Sequence, residues 1–114
     1  PGSTAAPSQL RPLAFTADGA RFAHPLLGEL EVPEGEDPEA LVKRKLRTLQ
    51  KAVKRQVEHY FSDENWAKDT YLQESADAEG FVAVACIAEF DRLRPLTTDV
   101  DFILESLRDS AVVE

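Results

Sequence analysis

The stretch that decides the fold is QVEHYFSDENWAKDTYL, residues 56–72. It combines aromatic rings, amides and carboxylates directly after a strongly basic segment. Ser62-Asp63-Glu64-Asn65 interrupts the helical pattern, and Asp69 is placed to cap a short second helix that runs through Ser75. The stretch therefore predicts the end of one helix, a break and the start of another.

A long helix is predicted just before this break. Asp37 supplies an N-cap carboxylate, Pro38 suits the first helical position, and Glu39 places an acid in the first turn. Apolar residues then recur at spacings of three and four, which puts them on one face of a helix. That apolar stripe consists of Val42, Leu46, Leu49, Val53, Val57 and Tyr60.

Charge is divided unevenly along the chain of 114 residues, whose net charge is -8. Residues 1–40 carry -5, residues 57–114 carry -10, and residues 41–56 carry +7 with seven bases and no acid. Surface helices usually mix positive and negative side chains. A basic segment without acids therefore favours contact with a polyanion. The alternative is an ordinary solvated helix face. The bases opposite the apolar stripe are Arg44, Arg47, Lys51 and Arg55.

Residues 1–36 are predicted to be a loosely ordered, flexible arm, and residues 37–114 to be the folded domain. Residues 1–33 hold five of the seven prolines, and Pro1-Gly2-Ser3 has the composition of an expression-tag remnant. Asp18-Gly19 lies between two short apolar runs and could close a hairpin, which is only marginally stable by itself.

The remaining chain predicts short elements. Residues 77–80 suit a turn, residues 84–90 a helix, and Thr98 with Asp101 three residues later suits the start of a last helix. A strand at Phe81-Val82 could pair with residues 111–113. Helices with a small antiparallel β-element predict an α+β domain of the winged-helix type.

Few residues would support catalysis. The chain has two histidines, His24 and His59, one cysteine, Cys86, and no glycine-rich phosphate loop. No Cys and His residues stand at zinc-ligand spacing, and the apolar run at residues 81–87 is too short to cross a bilayer. We therefore expect no enzyme, no metal, no cofactor and no membrane contact.

Residues 56–72, together with Gly80-Phe81-Val82 and Leu96-Thr97-Thr98-Asp99, resemble the La motif of the La and La-related RNA-binding proteins. The similarity covers roughly residues 41–114 and keeps the order of the motifs. It implies a winged helix with added helices that binds the 3′ end of single-stranded RNA in a pocket.

The resemblance also implies roles for individual residues. The pocket residues are implied to be Gln56, His59, Tyr60, Asp69, Tyr71 and Phe90. Tyr71 and Phe90 would stack a base, Gln56 and Asp69 would hydrogen-bond the base and the ribose hydroxyls of the terminal nucleotide, and Tyr60 would close the pocket.

Two positions depart from the family pattern, since His59 replaces a usual tyrosine and Trp66 a usual leucine. An imidazole can still stack or donate a hydrogen bond, and its protonation would make binding depend on pH. Without the resemblance, each aromatic in this stretch would be read as a core residue of a small domain.

Residues 77–81, 101–108 and 110–114 resemble the La-related branches associated with poly(A) tails and with mRNA stability or translation. The expected partner is thus a poly(A) or A-rich 3′ end, bound by a cytoplasmic monomer. Oligo(U) binding is the second interpretation, and a protein-interaction winged helix is the third, because the -10 segment disfavours a polyanion. Residues 10–14 faintly resemble a peptide that binds poly(A)-binding protein, with its anchoring phenylalanine replaced by Ala17.

Overall fold

The computed structural model describes residues 9–110 and 112. By its internal contacts the chain divides into two compact units, Pro1–Leu49 and Gln50–Glu114, and the boundary falls inside the long helix. The predicted α+β class is confirmed. The elements are β1 (Arg11–Thr16), β2 (Gly19–His24), β3 (Gly28–Pro33), α1 (Pro38–Tyr60), α2 (Asp63–Lys68), α3 (Thr70–Ser75), α4 (Val84–Ile87) and α5 (Val100–Ser106).

The first unit contains an antiparallel sheet in the order β1-β2-β3. Thr16 pairs with Gly19 across the first turn, and His24 pairs with Gly28 across the second. Gly19 has φ +149, and a Cβ atom there would lie 2.2 Å from the Val32 carbonyl oxygen, so this turn requires glycine. Leu30 and Val32 are the buried apolar residues of β3.

This sheet corrects the expectation of a loosely ordered arm with at most a marginal hairpin. A third strand, β3, pairs with β2 along its full length, and three strands with one buried face are more stable than an isolated hairpin. Residues 11–14, part of the segment compared with the poly(A)-binding protein ligand, lie in β1. Arg11, Pro12 and Ala14 pair with β2, and the register shifts at the residue between Pro12 and Ala14. The domain division at residue 36 stays a prediction.

Helix α1 agrees with its sequence signals. The Glu39 backbone N–H donates to Asp37 Oδ1 at 3.1 Å, as expected for an N-cap. The predicted apolar stripe faces inward, since Leu49 is half-buried and its other members are buried. The large, fully buried side chains of the second unit are those of Val53, Val57, Leu72, Leu93, Phe102 and Ile103.

Three element boundaries differ from the prediction. The expected break at residues 62–65 is brief, because Ser62 Oγ accepts the Asn65 backbone N–H at 3.3 Å and starts α2. The helix expected over residues 84–90 ends at Ile87. The cap of α5 is Asp99 instead of Thr98, because the Asp99 carboxylate accepts the Phe102 backbone N–H at 2.8 Å.

The strand predicted at Phe81-Val82 is absent from the described residues. The Phe81 N–H donates to Asp77 Oδ1 at 3.0 Å, and its carbonyl accepts the Asp77 N–H at 2.8 Å. The turn at residues 77–81 therefore uses both backbone groups that a strand partner would need. Of the predicted pairing partner, residues 111 and 113 lie outside the described residues.

Candidate nucleic-acid interface

Three aromatic rings form the wall of one cavity in the second unit. The Phe90 ring centroid lies 5.1 Å from that of Tyr60, at an interplanar angle of 89°, and 5.6 Å from that of Tyr71. Tyr71 is 65% exposed although it belongs to this cluster. A flat ring that is open to solvent beside other rings can stack an unpaired base.

The cavity has a volume of about 680 Å³, which falls within the roughly 300–1,000 Å³ typical of small-ligand sites. The structure brings five of the residues implied by the resemblance into its lining: His59, Tyr60, Asp69, Tyr71 and Phe90. Gln56 lies one turn before Tyr60 in α1 and does not line the cavity itself. Their roles stay predictions.

Asp69 occupies the junction between α2 and α3, where it is the C-cap of one helix and the N-cap of the next. Its Oδ1 accepts the Leu72 backbone N–H at 3.0 Å, and its Oδ2 accepts from Asn65 Nδ2 at 3.3 Å. A carboxylate offers about four lone-pair sites, so capping leaves it able to accept further hydrogen bonds from a ligand. The predicted helix cap and the proposed ligand contact are therefore compatible.

Two buried polar atoms of α1 side chains have no hydrogen-bond partner among the described residues: Gln56 Nε2 and the hydroxyl of Tyr60, which lines the cavity. The peptide groups of Arg92 and Leu93 approach the hydroxyl without reaching hydrogen-bond geometry. Burial raises the pKa of Tyr60 despite these N–H groups, so the phenol remains a neutral donor. Unpaired buried polar atoms are costly and uncommon.

Of the charged side chains at the cavity, the sequence indicated Asp69 but not Lys68, Glu89, Asp91 or Arg92. The cavity lining includes the cations Lys68 and Arg92 and the carboxylates of Asp69, Glu89 and Asp91. These five groups give the lining a formal charge of -1. Glu89 and Asp91 flank Phe90 directly, and Arg92 lies two residues after it. This closeness in sequence was the available signal for them.

Asn65 also lines the cavity. Its position in the sequence had indicated only that it belongs to the break between two helices. Its side chain links α1 to the α2–α3 junction. Nδ2 donates to the Tyr60 carbonyl oxygen at 2.9 Å as well as to Asp69.

The basic face of α1 is only partly engaged in ion pairs. Arg44 contacts Glu36 at 2.8 Å, and Lys54 contacts Asp109 at 3.1 Å. The Lys54 ammonium lowers the pKa of Asp109. Arg47, Lys51 and Arg55 are exposed and form no salt bridge with any described residue. Cations without acidic partners remain available to phosphates.

A second cavity of the same unit, which we call the apolar groove, has a volume of about 770 Å³. Its lining includes Phe61, Trp66, Phe81, Leu104 and Val112. The Trp66 ring stacks on Phe61 with centroids 6.4 Å apart. The tryptophan that departs from the family pattern thus lies in this groove and not in the aromatic cavity.

Across residues 9–110 and 112, no cluster of three or more histidine, cysteine or acidic side chains could hold a metal ion. Over the same residues, no helix combines the length and apolar character needed to cross a bilayer.

The fold and the cavity define an α+β domain with an aromatic pocket that includes a carboxylate. Part of the basic face of α1 belongs to the same unit as this pocket. A profile of the La domain matches residues 53–109, and the chain belongs to this family. Membership in this family supports RNA binding.

Several curated La-related proteins are similar to this chain. La-related protein Larp4B of Drosophila melanogaster is 37% identical over 92 residues, which cover 81% of this chain and 6% of that protein. La-related protein 1B of Arabidopsis thaliana is 49% identical over 59 residues, 52% of this chain and 13% of that protein. La-related protein 4 of Mus musculus is 41% identical over 66 residues, 58% of this chain and 9% of that protein. The matched region is thus a small part of each relative.

Proposed function

We propose that this domain binds the 3′ end of single-stranded RNA in the cavity formed by Tyr60, Tyr71 and Phe90. The observation that carries the proposal is the cavity's combination of an exposed stacking ring, a carboxylate that can accept further hydrogen bonds and the buried Tyr60 hydroxyl, which has no partner among the described residues. A base would stack on Tyr71, and ribose hydroxyls would donate to Asp69. Hydrogen bonds from the ligand would also satisfy the Tyr60 hydroxyl.

The unpaired cations of α1 support the same proposal. Lys51 and Arg55 lie on the helix that ends with His59 and Tyr60 at the cavity. They supply the positive charge that the cavity lining lacks, so the phosphates of a bound strand would contact the helix while its terminal nucleotide enters the cavity.

We further propose poly(A) or A-rich mRNA as the natural ligand, in a cytoplasmic role in mRNA stability or translation. This choice is supported by the resemblance of residues 77–81, 101–108 and 110–114 to the poly(A)-associated branches. Binding of 3′ oligo(U) is the competing assignment.

Fluorescence anisotropy of labelled oligonucleotides tests the proposal. Oligoadenosine should bind more tightly than oligouridine, and a 3′-phosphate on the oligoadenosine should abolish that preference. A preference for oligouridine would replace the poly(A) assignment. No binding to any RNA at low salt would contradict the function itself and favour a protein-interaction role.

Salt dependence tests the contribution of the basic helix. For single-stranded RNA, log affinity falls with log salt concentration by about 0.7 per neutralised phosphate. Lys51→Ala should therefore reduce the slope by about 0.7 without altering base preference. Arg108→Ala removes one positive charge at the apolar groove and should leave the slope unchanged. Equal slopes for wild type and Lys51→Ala would show that the basic face is an ordinary solvated surface and does not contact the phosphates.

A further inference from the structure

We propose that Asn65 is a positioning residue, which holds the Asp69 carboxylate in the orientation that accepts hydrogen bonds from the ribose hydroxyls of a 3′-terminal nucleotide. The inference rests on the proposed function and deepens it by identifying how the sugar-binding group is kept in place. Asn65 itself need not touch the RNA for this role.

The side chain of Asn65 is fixed by the groups around it. Its Nδ2 donates one hydrogen bond to the Tyr60 carbonyl oxygen at 2.9 Å and one to Asp69 Oδ2 at 3.3 Å. An amide NH₂ has two hydrogens, so both are used. The backbone is fixed as well, because the Asn65 N–H donates to Ser62 Oγ and its carbonyl accepts the Asp69 N–H at 2.9 Å.

This arrangement determines the orientation of the Asp69 carboxylate. The Leu72 N–H donates to Oδ1 at 3.0 Å, and Asn65 Nδ2 donates to Oδ2. Rotation of the carboxylate away from this orientation would therefore break both hydrogen bonds. If Asn65 were absent, the single contact to Leu72 would leave the other oxygen free to rotate. A carboxylate oriented before binding loses less conformational freedom when a ligand arrives.

Neither aspartate nor alanine could supply the two contacts that Asn65 makes at this position. Aspartate has the same shape but lacks the two N–H donors and would place a negative charge 3.3 Å from Asp69. Alanine lacks the donors altogether. The contact with the Tyr60 carbonyl also joins the carboxylate to the last turn of α1, which carries Tyr60 into the cavity.

The test measures how strongly each protein distinguishes a ribose from a 2′-deoxyribose at the 3′-terminal nucleotide of an otherwise identical RNA. For wild type, removal of the 2′-hydroxyl should weaken binding about tenfold, since a hydrogen bond to a charged group is lost. In Asn65→Ala the all-ribose RNA should bind about tenfold more weakly, and the penalty for the deoxy sugar should fall below about twofold.

Gln73→Ala is the matched control. The Gln73 amide donates to the Trp66 carbonyl oxygen and so also joins α2 to α3, but Gln73 is exposed and does not line the cavity. Its loss should leave the deoxy penalty at the wild-type value. A purely structural role of Asn65 would lower affinity for both RNAs equally and keep their ratio.

The outcomes separate this inference from the proposed function. If Asn65→Ala retains the wild-type penalty, or if wild type binds RNA without any penalty, the positioning role is overturned while RNA binding stands. If wild type binds no RNA, both are overturned.

A second measurement covers the case in which Asn65→Ala does not fold. In the wild-type protein, NMR should show slow solvent exchange of the Asn65 side-chain amide protons. Their resonances should shift more with all-ribose RNA than with the deoxy-terminated RNA. Rapid exchange together with equal shifts would overturn the inference.

Discussion

The second unit carries two cavities of similar size, yet they differ in chemistry. The aromatic cavity of about 680 Å³ is lined by three carboxylates, two cations and Tyr60, whose buried hydroxyl has no partner among the described residues. The apolar groove of about 770 Å³ is lined mainly by Phe61, Trp66, Phe81 and aliphatic side chains. Cavity size and aromatic content therefore do not distinguish the two cavities, whereas the charged groups and the unpaired hydroxyl of the aromatic cavity do, and the proposed RNA site rests on them.

The largest expected effect compares two exposed aromatic residues, one in each cavity. Tyr71 is 65% exposed and Phe81 is 61% exposed, so Tyr71→Ala and Phe81→Ala should change the melting temperature little. Tyr71→Ala should weaken RNA binding roughly 5- to 100-fold, because a base–aromatic stack is lost. Phe81→Ala should leave affinity unchanged. Anisotropy titrations would contradict the comparison if the two variants lost affinity equally.

The next effect compares two aspartates. In Asp69→Asn the side chain can still cap α3, but its new amide would face the Asn65 donor and its negative charge is gone. We expect RNA binding to weaken about tenfold at nearly unchanged stability. Asp63→Asn, in the apolar groove, is the control and should bind RNA like wild type. If the folded Asp69→Asn protein bound RNA with wild-type affinity, Asp69 would not be part of the RNA site.

A smaller effect should appear when the unpaired hydroxyl at the aromatic cavity is removed. Tyr60→Phe keeps the buried ring and its contact with Phe90, while it eliminates a hydroxyl that has no partner among the described residues. The free energy of unfolding should stay the same or rise by up to about 1 kcal/mol. RNA binding should weaken about fivefold. Chemical denaturation and anisotropy measure the two quantities, and a loss of stability without loss of affinity would show that the hydroxyl serves the fold.

The smallest effect concerns the segment beyond α5, which forms one wall of the apolar groove. Lys54 contacts Asp109 at 3.1 Å in this segment and lowers the pKa of its carboxyl group. The unfolded state therefore binds a proton at Asp109 more readily than the folded state does. The ion pair stabilises the fold fully at pH values above the ordinary pKa of 3.8. This stabilisation is lost as the pH falls through the lowered pKa of the folded state. Because Asp109 is exposed, the contribution is small.

Thermal melts of Asp109→Asn check this pH dependence. The variant should melt slightly below wild type at pH 7. The difference should shrink as the pH falls below 3.8 and vanish once the pH is below the lowered pKa of Asp109. In a Lys54→Met background the same substitution should have no effect at either pH. RNA affinity should not change in any of these proteins, and a change would link the groove to the aromatic cavity.

The sequence determined α1 and the family of this protein. Its cap at Asp37 and the buried stripe of α1 follow from local hydrogen bonding and from the spacing of apolar residues, which act within one helix. Asp69 was recognised as a cap for the same reason. The resemblance to the family then predicted which residues would form an RNA site, and five of them line the aromatic cavity.

Tertiary structure decided what local signals leave open. The sheet over residues 11–33 needed the pairing of β2 with β3, and the missing strand at Phe81 reflects competition from the Asp77 turn. Spacing alone also could not show that Trp66 stacks on Phe61 in the groove, or that Asn65 reaches both Tyr60 and Asp69. Such contacts depend on how the helices pack, because a side chain's partners across space are not set by its neighbours along the chain.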